Sequence, residues 1–81
     1  SHFETLIEMY FRANDFNSVI ETHAKLQERG MMTLPATLLE FVSISYVNTN
    51  NINLGCLLAQ DLRNYGYKVS SSLAQVCDIK Q

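Results

Sequence analysis

The residues of this 81-residue chain that could do chemistry are few, and their spacing decides what they are for. Ser70, Ser71 and Ser72 form a run of hydroxyls. A serine nucleophile needs a base beside it, and neither His nor Asp is arranged near that run, so a helix start is the economical reading. His2 and His23 lack a Cys or carboxylate partner at metal-ligand spacing, which leaves both without a catalytic or metal role; His23 is expected to cover a helix contact. Cys56 and Cys77 are too few and too far apart for a disulfide framework or a zinc site, so both are expected to be reduced, buried thiols. No phosphate loop and no metal cluster can be read, and nothing points to an enzyme or to a cofactor.

Charge narrows the partners. Six Lys and Arg stand against eight Asp and Glu, a formal net charge of −2. Arg12, Lys25, Arg29, Arg63 and Lys68 could each touch a phosphate, but they are scattered and interleaved with acids, as on solvated faces. Glu8 with Arg12, and Glu21 with Lys25, are i, i+4 pairs in the favourable order and mark exposed helix faces. Every apolar stretch is interrupted by a polar residue, so no segment approaches the ~18 apolar residues that span a bilayer. A small-molecule substrate is not indicated either. The chain opens "SHFETL", so any targeting segment is expected to lie outside it, and a fragment of a longer protein is expected.

The elements that must carry these residues are helices, written twice. Sliding the chain by 36 residues sets Gly30 on Gly66, Asn14 on Asn50, Tyr10 on Tyr46, Leu26 on Leu62 and Glu4 on Glu40. A fixed period in the thirties marks stacked helical units, each needing the next to cover its apolar face. Phe3, Leu6, Ile7 and Tyr10, and then Leu38, Phe41, Val42 and Ser45, follow helical spacing and define a first helix in each copy. "AND" and "TNN" end these helices, with Asp15 and Asn51 as candidate N-caps. The second helices carry Phe16, Val19, Ile20, Ala24 and Leu26 or Gln27 in one copy, and Ile52, Leu58, Ala59, Leu62 and Tyr65 in the other. They close at Gly30 and Gly66. Pro35 suits the start of the next first helix. Tyr10 and Tyr46, at matched positions, belong to inter-helix packing, and Met31 and Met32 plug the gap between units. Ser70 caps a further helix with Leu73, Val76 and Cys77, which covers the apolar end of the second pair.

The unit from Phe3 through Leu6, Ile7, Tyr10 and Asn14 to Leu26, Glu28, Arg29 and Gly30 resembles a pentatricopeptide repeat, and Tyr46, Leu62 and Gly66 carry the weaker second copy. The resemblance spans nearly the whole chain. The expected fold is all-α: an α-solenoid of two antiparallel helix-turn-helix repeats plus a fifth helix, stacked as a right-handed superhelical segment. Residues 1–81 then form one domain, with repeat 1 at about 2–35, repeat 2 at about 36–70 and the start of repeat 3 at about 71–81. The resemblance implies mitochondrial or plastid single-stranded RNA binding, in RNA processing, stability or translation. It implies that bases are read from the start of each first helix and the end of each repeat, which here are Glu4 and Glu40 with Leu34 and Ser70. A carboxylate accepts only, and it repels phosphate, so Glu4 and Glu40 depart from the Asn, Ser or Thr the family prefers. Solvated helix-start carboxylates are the plainer reading for both. A protein-interaction scaffold of the same shape is the alternative function.

Overall fold

The computed structural model describes residues 2–30 and 34–81. All of their regular structure is helical: α1 (His2–Arg12), α2 (Phe16–Glu28), α3 (Ala36–Asn48), α4 (Ile52–Asn64) and α5 (Ser71–Cys77). Helix α3 is central and contacts α1, α2 and α4. Its sequence, ATLLEFVSISYVN, is apolar or small on most sides, as a helix surrounded by others must be. Met31 and Met32, read as a plug between units, lie outside the described residues.

The duplication recurs in the backbone. Asn14 and Asn50 both take the left-handed conformation, at φ 58° and 65°. One residue later, Asp15 N–H donates to the Tyr10 carbonyl at 2.8 Å and Asn51 N–H to the Tyr46 carbonyl at 2.9 Å. These bonds satisfy carbonyls that a helix end would otherwise leave open. Gly30 and Gly66 close α2 and α4 at φ 72° and 94°. The N-caps differ between copies. Asp15 accepts from Ser18 N–H at 3.3 Å and from Ser18 Oγ at 2.7 Å, whereas the Asn51 amide turns back to Thr49 and makes no capping bond. Of the two expected surface pairs, Glu8–Arg12 forms at 3.6 Å, while Glu21 and Lys25 stay apart.

The core has two parts. Ile7, Val19, Leu26, Leu34, Leu38 and Val42 form the first, between α1, α2 and α3. Phe11 of α1 stacks on Phe41 of α3 at 4.0 Å and meets Phe16 of α2 edge-on, tying three helices at one point. Tyr10 and Tyr46 pack against this cluster. Ala59, Leu62, Val69, Leu73, Ala74 and Ile79 form the second, between α4 and α5.

Three expectations about faces are corrected. On α4 Ile52 is exposed, as is Tyr65 at its C-cap, and the buried positions are Gly55, Ala59 and Leu62. The reason is a close approach of α3 and α4: a Cβ at residue 55 would stand 2.6 Å from Val47 Cγ2 and 2.7 Å from the Ser43 carbonyl. Ser43 Oγ donates to the Gly55 carbonyl at 2.6 Å across the contact. The glycine fixes the rotation of α4 and swings the larger apolar residues outward. On α2, Ala24 and Gln27 are exposed, and Thr22 and His23 share the buried face with Val19 and Leu26. The cysteines are not reduced: Cys56 of α4 and Cys77 of α5 are joined by a disulfide with 21 residues of separation and both are half-buried. Closing a loop of that length stabilises by about 3 kcal/mol in the chain-entropy account. The distance in sequence that argued against pairing is spanned because α5 folds back along α4.

Helix α5 ends at its own stop. Asp78 is left-handed at φ 54°, Ile79 N–H donates to the Ala74 carbonyl at 2.8 Å, and the Ile79 side chain is buried. At seven residues it is about half of α3, with 13.

The Ser43–Gly55 contact yields a test. Gly55→Ala raises intrinsic helix propensity, yet it should destabilise the fold by about 1–3 kcal/mol through overpacking. Gly30→Ala, with open space around it but positive φ, should cost about 1 kcal/mol from backbone strain alone. Urea denaturation of the two variants checks the order.

Candidate functional site

The four positions implied by the resemblance fall in two pairs, and the second pair meets. Glu40, on the first turns of α3, is 8% exposed. Its Oε1 accepts from the Tyr67 hydroxyl at 3.1 Å and its Oε2 from the Ser70 backbone N–H at 2.5 Å. The reading of Glu40 as a solvated carboxylate is therefore corrected: it is buried because the α4–α5 connection folds over it. Ser70 occupies the N-cap of α5 and its hydroxyl makes no capping bond. The carboxylate of Glu40 supplies what a capping side chain supplies elsewhere, a negative acceptor at the positive end of a helix.

Leu34 is buried in the first core, at 7% exposure. Glu4 is half-buried on the first turn of α1. Glu40 and Ser70 are brought together, then, but in contact with each other and with Tyr67. Neither oxygen of Glu40 is left without a donor. Charge-assisted bonds of this kind contribute about 1.5–3 kcal/mol each. The resemblance implies both Glu40 and Ser70; Tyr67 was missed, and the only trace of it in the sequence is an aromatic residue directly after the closing Gly66.

His23 sits on the buried face of α2 at 7% exposure, and its Nδ1 has no hydrogen-bond partner. Burial lowers its pKa below 6.5, because a charged imidazole there would lose its hydration. Among the described residues, no group of three His, Cys, Asp or Glu could hold a metal ion. No described helix is long and apolar enough to cross a membrane.

Two surface features remain. One is a notch of about 190 Å³ between α3 and α5, lined by Ile44, Val47, Asn48, Ser72, Leu73 and Val76. The other is a pocket of about 270 Å³ beside the α4–α5 turn, where Arg63 and Lys68 flank Tyr67. Sequence distance separates these basic residues; the turn at Gly66 brings them to one place. Compared with models of known families, with curated proteins and with solved structures, the chain matches none.

Two predictions follow from the buried polar groups. Glu40→Ala should lower stability by at least about 1.5–3 kcal/mol, and a double-mutant cycle with Tyr67→Phe should show coupling, since each substitution removes the Glu40–Tyr67 bond; independent effects would show that the bond contributes nothing. For His23, the folded state holds the neutral imidazole while the unfolded chain takes up a proton near pH 6.5. Stability is therefore complete above about pH 6.5 and falls as pH drops below it. Thermal melts of wild type and His23→Leu from pH 7.5 to 5.5 should show this loss in the wild type alone.

Proposed function

We propose that this chain is a helical-repeat segment of pentatricopeptide type that binds single-stranded RNA, as part of an organellar factor for RNA processing, stability or translation. The observation that carries the reading is the helix pair repeated at 36 residues, with left-handed Asn14 and Asn50 and closing glycines Gly30 and Gly66 at matched places. The residues that carry the resemblance occupy these places. A solenoid arrangement, with α5 as the first helix of a third unit, belongs to the same proposal.

The recognition mode differs from the one the resemblance implies. Glu40 is occupied by Tyr67 and Ser70, and Leu34 lies in the core. Binding through this segment is backbone-directed and weakly selective among bases, since the Glu40 side chain is occupied and only the Ser70 hydroxyl of that pair stays open. A mitochondrial location follows from the resemblance alone. The Cys56–Cys77 bridge adds a condition, because such bonds persist where the compartment does not reduce them.

A second reading has its own observation. The apolar notch of Ile44, Val47, Leu73 and Val76, with Val76 56% exposed, suits an apolar side chain from a protein partner, and the net charge of −2 does not attract RNA over a wide surface. Fluorescence anisotropy of the full chain with labelled single-stranded RNA pools across a salt series separates the two. RNA binding should weaken with salt, by a log–log slope of about −0.7 per phosphate contacted, and should survive Val76→Asp. Absence of binding at low salt, where attraction is greatest, would remove the RNA reading.

A further inference from the structure

Of the basic side chains in the described residues, two already have local partners. Arg12 pairs with Glu8, and the Arg29 guanidinium lies over the Phe3 ring at 5.2 Å. Arg63 and Lys68 make no ion pair, although they flank the same pocket of about 270 Å³. An unneutralised pair of cations at one concavity focuses potential on whatever anion enters it.

Both walls of this pocket are held in place. The Arg63 side chain is half-buried, and its Nε donates to the Lys80 carbonyl at 3.1 Å, which fixes the guanidinium plane while leaving its two terminal amino groups without a protein acceptor. Lys80 is itself positioned by its neighbours, since Ile79 is buried in the second core and Cys77 is bonded to Cys56. Opposite, Tyr67 is half-buried, and its hydroxyl is tied to the Glu40 carboxylate. Gly66, left-handed at φ 94° with open space about its Cα, and Gln81 complete the lining.

A fixed guanidinium fork suits phosphate oxygens bidentately, an ammonium adds a point charge, and an anchored aromatic ring stacks on a planar base. The volume lies just below the range for drug-sized ligands, which suits a single nucleotide unit. We propose that Arg63, Lys68 and Tyr67 form a nucleotide-unit site, with a phosphate held between the two cations and a base against the Tyr67 ring. The proposal deepens the RNA reading and rests on it for the source of the nucleotide, a unit within a strand; a free nucleoside monophosphate offers the same chemistry.

The test uses the full chain, a labelled single-stranded RNA ten-mer and, separately, AMP, with Lys68→Gln, Arg63→Gln, Tyr67→Leu and Tyr67→Phe. Lys68 is exposed and without a partner, so its substitution reports on binding even if another variant unfolds; circular dichroism checks each fold. The site predicts that Lys68→Gln and Arg63→Gln each weaken RNA binding by about threefold to tenfold and flatten the log–log salt slope by about 0.7. Tyr67→Leu should weaken it at least about fivefold, while Tyr67→Phe, which keeps the ring but loses the bond that anchors it, should lose less than Tyr67→Leu. Unchanged RNA binding in folded Lys68→Gln and Tyr67→Leu overturns the site and leaves the RNA reading standing. Binding of AMP alone, lost in the same variants, supports the site and removes the RNA reading. Binding of neither overturns both.

Discussion

The carboxylate of Glu40 is the constraint on which the second half of this structure depends. It is buried, so it must be fully partnered, because an unpaired charge in that position would cost several kcal/mol. Its two partners, the Tyr67 hydroxyl and the Ser70 N–H, both lie in the short connection after α4. One side chain of α3 thus sets where that connection runs and where α5 begins. From that start α5 reaches Cys56 with Cys77, and the tail beyond it reaches the core with Ile79 and Arg63 with the Lys80 carbonyl.

Two further contacts determine how rigid the arrangement is. Ser43 and Gly55 let α3 and α4 approach until a hydroxyl meets a backbone carbonyl, which fixes the rotation of α4 about its axis. That rotation points Cys56 toward α5 and leaves Leu54, Leu57 and Tyr65 outside. The disulfide then holds a helix of only seven residues, too short to be stable through its own hydrogen bonds. Covalent closure, a buried carboxylate and one small-residue contact act in series, and the pocket at Arg63, Lys68 and Tyr67 inherits its geometry from all three.

Much of the local structure was legible in the sequence because it depends on local chemistry. The helix stops at Asn14 and Asn50, the closing glycines and the Asp15 cap follow from what those side chains do to a backbone near them. The helical period located Ile7, Val19, Val42 and Leu62 in the core for the same reason. The misreadings with the widest consequence concern partners far apart in sequence. Glu40 looked like a helix-start acid because its donors lie 27 and 30 residues away. Cys56 and Cys77 looked independent because only the return of α5 along α4 joins them. Ile52 and Tyr65 looked buried because periodicity weights large side chains, whereas the packing turned on a glycine.

The most direct test of this account is amide hydrogen exchange, by nuclear magnetic resonance, in oxidised wild type and in Glu40→Gln. The account predicts that the Ser70 amide of the wild type, though in a connection and not in a helix, exchanges as slowly as core amides of α4. In Glu40→Gln, protection should fall at Ser70 and through residues 71–79, while α1 and α2 keep theirs. A Ser70 amide that exchanges at the rate of an open chain in the wild type, or loss of protection spread evenly over all five helices, would contradict it.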